Sequence, residues 1–124
     1  MADTPDERLL AMTQAVAGAL DLLMQVAIGL PIPIKLPLPT STDFDHFFEA
    51  LGRMRVLIED EPIPGHAIGH LDQAVLMIQT SMDLIHIAAS HDEIEWRYDA
   101  VHLHCAAAAA NLALTQMILN GQIE

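Results

Sequence analysis

The chain has 124 residues, of which 52% are hydrophobic and only 4% aromatic. This is enough for one domain with a single core, and too apolar for a disordered chain. Seventeen acidic residues against 5 basic ones give a formal net charge of −12, which argues against nucleic-acid binding and against docking on anionic lipid. The single cysteine excludes an intramolecular disulfide.

No targeting or membrane segment is expected. The first ten residues contain three acidic residues and one arginine, the opposite of a secretory leader. The most apolar stretch, residues 15–30, is interrupted by Asp21 and Gln25, so we interpret it as a buried helix and not as a membrane span. The expected location is therefore the cytoplasm.

The first helix is predicted over residues 4–29. Thr4 can cap its N-terminus, Pro5 suits the first helical position and Glu7 completes a capping box. Apolar residues then recur at helical spacing and predict the buried stripe. These residues are Leu9, Met12, Val16, Leu20, Leu23 and Ala27.

Further apolar residues of this helix, Ala19, Leu22 and Val26, lie outside that stripe and would be exposed in a monomer. A helix that is apolar nearly all round is usually buried on most sides. We therefore expect a second subunit to cover the first helix in a symmetric homodimer.

Residues 31–39 read Pro-Ile-Pro-Ile-Lys-Leu-Pro-Leu-Pro. Four prolines exclude a helix and favour an extended segment. The residues between them are mostly apolar, which is not typical of a solvated linker. The preferred interpretation is a packed crossover between the first and second helices, and the alternative is an arm that docks on another chain.

The second helix is predicted over residues 42–59, beginning near Ser41 or Thr42. An apolar stripe from Phe44 to Ile58 supports it, and the acidic residues that end it, 59–61, are interpreted as a solvated turn.

Two more helices are predicted over residues 65–89 and 91–120, the last opening with a capping box at residues 90–93. Four amphipathic helices in a chain of this length predict an all-α fold: a four-helix bundle with a Pro-rich extended crossover between helices 1 and 2. The expected form is an obligate homodimer in which residues 1–124 make a single helical domain.

Seven histidines are the main candidates for chemistry. His66 and His70 lie four residues apart, so both can face one metal ion on a regular helix. Asp99 and His102 form one of three Asp-x-x-His patterns and could add ligands from a facing helix. We interpret His66 and His70 as surface histidines and expect no cofactor, with a zinc or iron site on these four residues as the alternative.

Three histidines are candidates for a general base: His86, His102 and His104. His86 falls on the apolar stripe of the third helix, so we expect it to be buried, neutral and hydrogen-bonded. His102 and His104 are two residues apart and therefore point to opposite sides of the last helix. Cys105 lies on the core stripe and is interpreted as a small buried apolar residue.

The sequence allows three functions and favours a non-enzymatic one. The first is a binding or regulatory protein whose acidic dimer surface meets a basic protein partner. The second is a metal-binding bundle, either an enzyme or a sensor. The third is a protein that binds a small apolar molecule, or a cofactor-free enzyme with a histidine base, in a pocket between helices. The residues expected to line that pocket are Met24, Phe48, Met77 and Met82.

Overall fold

Four helices and no strand occupy the residues that the computed structural model describes, which are 4–37, 43–89 and 94–122. The helices are α1 (Pro5–Ile28), α2 (Phe44–Ile58), α3 (Gly65–Ala88) and α4 (Glu95–Leu119). They form a helical bundle in which α3 packs most extensively against α4, α1 contacts both, and α2 packs on α3. The predicted all-α fold is confirmed.

Local capping chemistry sets where α1 and α2 begin. Thr4 accepts a hydrogen bond from the Glu7 backbone N–H at 3.1 Å, as the capping box predicts. The Glu7 carboxylate accepts from the Thr4 hydroxyl at 3.1 Å, where the capping box predicts the Thr4 backbone N–H as donor. The cap of α2 is Asp43, whose carboxylate accepts from the His46 N–H at 2.9 Å. The predicted start near residues 41–42 is therefore corrected by one or two residues, because Asp caps a helix as well as Ser or Thr does.

The start of the fourth predicted helix at residue 91 and the capping box at 90–93 lie outside the described residues. From Glu95 onward α4 is helical, and the predicted apolar stripe is buried at Val101, Cys105, Ala108 and Leu112.

The apolar stripe predicted for α1 packs into the core, with Met12, Leu23 and Ala27 fully buried. Ala19 and Val26 are also buried within the single chain, at 4% and 6% exposure. The expectation that they would be exposed in a monomer is wrong, because α1 packs against both α3 and α4 and so buries a wider arc than one stripe. Leu22 is exposed, as expected.

By length and composition alone, α1 could also cross a membrane, with a mean hydropathy of 1.5 over 18 residues. A third of that window is buried in the bundle. A helix that packs in a soluble core passes the same test, so location in the cytoplasm stays a prediction.

The described part of the proline-rich segment, residues 31–37, contains no helix. Ile34 and Leu36 are buried, and the Ile34 N–H donates to the Ala27 carbonyl at 3.0 Å. Residues 38–39 of the predicted crossover lie outside the described ranges.

The acidic turn after α2 differs from its prediction at one residue. Glu61 is only 6% exposed, and its carboxylate accepts a hydrogen bond from the Ile32 N–H at 3.0 Å. The interpretation of residues 59–61 as a solvated turn holds for Glu59 and Asp60 and is wrong for Glu61. The reason lies in the tertiary structure. The segment that follows α1 packs on this turn, and its Ile32 N–H takes the place of water as the donor to the Glu61 carboxylate.

Candidate functional site: an apolar groove between α1 and α3

An open groove runs between α1 and α3 and is bordered by the first residue of α2. Its volume is about 660 Å³, which is within the range of sites that hold small organic molecules. The side chains around it are mostly apolar. The lining residues are Thr13, Val16, Ala17, Leu20, Asp21, Met24, Phe44, Met82, Ile85, His86 and Ala89.

The floor of the groove belongs to the core of the bundle. Val16 and Leu20 of α1 and Met82 of α3 are each at most 9% exposed. Ala17 and Ala89 line the groove with exposed but short side chains, which leave the space between the helices unfilled. A ligand in the groove would therefore rest on a rigid apolar surface and still be reached from solvent.

Of the four residues expected in an apolar pocket, Met24 and Met82 line the groove. Met77 points instead toward α4, where its sulfur lies 3.8 Å from the Asn111 side-chain nitrogen. Phe48 stands behind Phe44 and does not line the groove.

The stacked rings of Phe44 and His86 form one border of the groove, and Phe48 packs behind Phe44. Phe48 stacks on Phe44 with ring centroids 5.6 Å apart, and Phe44 stacks on His86 at 4.8 Å with 19° between the ring planes. His86 is exposed, so the expectation of a buried, hydrogen-bonded core histidine is wrong. The physical reason is that the apolar stripe of α3 opens into the groove at this end of the helix, and the imidazole lies on the rim against Phe44.

The polar groups that line the groove are few. The Thr13 hydroxyl donates to the Leu9 carbonyl at 2.8 Å, and one carboxylate oxygen of Asp21 accepts from the Gln25 side-chain amide at 3.0 Å. The His86 imidazole is oriented by its stacking on Phe44, and it makes no hydrogen bond to any of the described residues. A general base is usually oriented by a second polar group, and none of the described residues supplies such a group to His86.

The other two candidate bases lie on α4, away from the groove. The Nδ1–H of His102 donates to the Tyr98 carbonyl at 2.9 Å, and that of His104 donates to the Ala100 carbonyl at 2.7 Å. His102 also packs on the Tyr98 ring, with centroids 4.3 Å apart. Each imidazole is thus fixed by its own helix, on the divergent sides that the two-residue spacing predicts.

The candidate metal ligands do not converge among the described residues. His66 and Asp99 are exposed, whereas His70 is half-buried and its Nδ1 lies 2.8 Å from the side-chain oxygen of Asn111 on α4. No group of three or more His, Cys, Asp or Glu side chains suited to a metal occurs in the described ranges. A zinc or iron site that includes His102 stays an untested alternative.

The Asp-x-x-His pattern at the start of α2 has a structural role. Nδ1 of His46 lies 2.9 Å from the Asp43 carboxylate, and both side chains are solvent-exposed. The hydrogen bond that the His46 imidazole donates to Asp43 raises the pKa of His46, while the His46 backbone N–H and then its side chain lower the pKa of Asp43. This Asp-x-x-His pair therefore serves as a helix cap.

Cys105 is buried on α4, with its sulfur 3.8 Å from the Ser81 hydroxyl. Burial raises the pKa of its thiol, and the contact with Ser81 opposes that shift only in part. A protonated, buried thiol is a poor nucleophile, in agreement with the apolar role predicted for Cys105.

A second apolar surface lies on the outside of α4. We call it the outer α4 face and define it by Trp96, Leu103, Leu114 and Met117, each 36% to 70% exposed. Trp96, Leu103 and Met117 are separated by multiples of seven residues, which places them along one side of the helix. The Arg97 guanidinium covers part of the Trp96 ring, 4.5 Å from its centroid.

Sequence reasoning missed Thr13, Ala17 and Asp21 as lining residues. They share one side of α1 at spacings of four residues, which is a usable signal. Nothing local, however, indicates that this side faces the end of α3. Comparison of the chain with protein-family models, with curated proteins and with solved structures found no match.

Proposed function

We propose that this protein binds a small apolar molecule in the groove between α1 and α3 and does not act as an enzyme. The observation that carries the proposal is the groove itself: about 660 Å³ bounded by eleven residues, of which only Thr13, Asp21 and His86 are polar. Of the three functions that the sequence allows, this one has a defined cavity in its favour. The basic protein partner and the metal-dependent function stay predictions.

The apolar lining implies a driving force that grows with ligand length. Each methylene group transferred from water to an apolar site contributes about 0.8 kcal/mol, or roughly fourfold in affinity. A homologous series of straight-chain alcohols should therefore bind with affinities that rise about fourfold per added carbon until the groove is full.

Isothermal titration of the protein with octanol, decanol and dodecanol tests this proposal. Ala17→Trp, which fills the groove from an exposed position, should abolish binding without unfolding the protein. Gln73→Trp introduces the same side chain at an exposed position of α3 outside the groove and should bind as the wild type does. Equal affinities along the series, or binding that survives in Ala17→Trp, would show that the groove is not the site.

A second proposal concerns self-association, and it rests on the outer α4 face. We propose that two copies of the chain pair through this face, since an exposed row of large apolar side chains on a soluble helix favours contact with a partner. Sedimentation equilibrium should then give about twice the 13.5 kDa chain mass.

Two matched variants distinguish this interface from the one predicted on the first helix. Leu103→Asp should produce a monomer, whereas Leu22→Asp, at an exposed position of α1, should leave the dimer intact. The reverse result would show that the dimer interface lies on α1. A monomeric wild type would exclude both the α1 interface and the outer α4 face as dimer interfaces.

We also propose that residues 31–39 act as the crossover strap between α1 and α2. The support comes from the described part, where Ile34 and Leu36 are buried and the Ile32 and Ile34 N–H groups have acceptors. Hydrogen exchange should be slow at Ile32 and Ile34 and fast at Lys35. Uniformly fast exchange would favour a free arm.

A further inference from the structure

Among the described residues, acceptors and one carboxylate line the groove but no lysine or arginine does, and this limits what the groove can bind. We propose that its ligand is a cationic amphiphile: an apolar chain that carries an amine or quaternary ammonium group, which lies at Asp21. This inference rests on the proposed function and adds the chemical class of the ligand.

The first argument is the position of the basic residues. The chain contains five lysines and arginines, and all five lie in the described ranges and outside the lining of the groove. The four arginines have contacts elsewhere: Arg8 over Tyr98, Arg53 beside Glu49, Arg55 paired with Asp72, and Arg97 over Trp96. The fifth basic residue, Lys35, lies in the proline-rich segment. A carboxylate or phosphate head group in the groove would find no basic side chain to neutralise it.

The second argument is the hydrogen-bonding character of the polar lining. Asp21 is exposed, and only one of its carboxylate oxygens is engaged, by Gln25. The Thr13 hydroxyl hydrogen is already donated to the Leu9 carbonyl, so its oxygen is left as an acceptor. Both groups can therefore accept a hydrogen bond from a ligand, which an ammonium group supplies and a carboxylate does not.

The third argument is the overall field. A formal net charge of −12 attracts cations and repels anions before contact is made. At Asp21 this long-range effect and the local acceptor act in the same direction. Because Asp21 is exposed, the local contribution is modest, about threefold to fivefold in affinity.

The test uses three probes with the same twelve-carbon chain: dodecylamine, dodecanol and dodecanoate. Titrations are carried out at about pH 8, where the amine is protonated and the carboxylate ionised. The concentrations stay below the micelle concentrations of dodecylamine and dodecanoate and below the solubility limit of dodecanol. We expect dodecylamine to bind about threefold to fivefold more tightly than dodecanol. Dodecanoate should bind more weakly than dodecanol.

Asp21→Asn should remove the advantage of dodecylamine over dodecanol. Asp6→Asn makes the same change of charge on the same helix, fifteen residues away, and should leave that advantage in place. An equal loss in both variants would mean that the general field and not Asp21 selects the head group, which overturns the assignment. Ala17→Trp must also lose dodecylamine, because binding that survives there is attraction to the acidic surface.

The outcomes separate the inference from the function on which it rests. If dodecanol binds but dodecanoate binds as tightly as dodecylamine, the groove is a binding site and the cationic class is wrong. If none of the three probes binds, the proposed function fails, and the inference fails with it.

Discussion

The carboxylate of Glu61 accepts a hydrogen bond from the backbone N–H of Ile32, 3.0 Å away and twenty-nine residues earlier in the chain. This bond joins the proline-rich segment to the turn after α2. Glu61 is 6% exposed, so its carboxylate cannot turn to water without opening the structure, whereas Ile32 is 58% exposed.

Glu61→Ala should therefore destabilise the protein. A hydrogen bond to a charged acceptor contributes about 1.5–3 kcal/mol, and we expect a loss near the lower end because water can reach the exposed Ile32. Chemical denaturation monitored by circular dichroism measures that loss directly. Glu59→Ala removes an exposed carboxylate two residues earlier and should change stability by less than about 0.5 kcal/mol. Equal effects of the two substitutions would indicate that the bond to Ile32 contributes nothing.

The pair Asp43 and His46 should contribute most to stability in mildly acidic solution. Because the pKa of His46 is raised, its protonated form stabilises the folded state fully below pH 6.5, the ordinary pKa of histidine. That stabilisation is lost as the pH rises through the pKa of His46 in the folded state. Because the pKa of Asp43 is lowered, its ionised form stabilises the folded state fully above pH 3.8, and that stabilisation is lost as the pH falls through the pKa of Asp43 in the folded state. The difference in Tm between wild type and His46→Gln should thus be largest between about pH 3.8 and 6.5. A difference that does not vary with pH would contradict the pairing.

Cys105 should react slowly with alkylating reagents in the native protein and at the normal rate in denaturant. Burial keeps its thiol protonated, with a pKa above the ordinary value of 9.0. The same shift predicts a loss of stability once the pH exceeds 9.0, because the unfolded chain then releases the thiol proton more easily. Cys105→Ala should lack that alkaline loss, and rapid native alkylation at neutral pH would show that the site opens.

Stoichiometric Zn²⁺ or Fe²⁺ should leave the Tm unchanged. Nδ1 of His70 is engaged by Asn111, and the described residues offer no cluster of three ligands around it. A metal stabilises a fold only when it binds the native state more tightly than the unfolded chain. A rise in Tm that disappears in His70→Ala would instead establish a metal site.

The parts of the structure that depend on neighbours along the chain could be predicted from the sequence. Thr4 and Glu7 meet as predicted because a cap is decided within four residues. The buried stripes of α2 and α3 follow from spacing alone, as Leu51, Met54, Leu71 and Ile78 demonstrate.

The parts that depend on how helices pack could not be predicted. Spacing placed His86 on an apolar side, but whether that side meets a helix or opens into a groove is decided by α1. Glu61 is buried only because the segment after α1 folds back over it. Val26 is buried because α1 contacts two helices at once.

Phe44 closes one border of the groove, and it is the first residue of α2. The first turn of a helix lacks half of its backbone hydrogen bonds and is the part that unwinds most easily. When one turn of α2 frays, the ring of Phe44 would swing off His86 and widen the already open groove, with α1 and α3 still in contact. Widening at this border should occur on the timescale of helix–coil relaxation, about a microsecond, and far faster than unfolding.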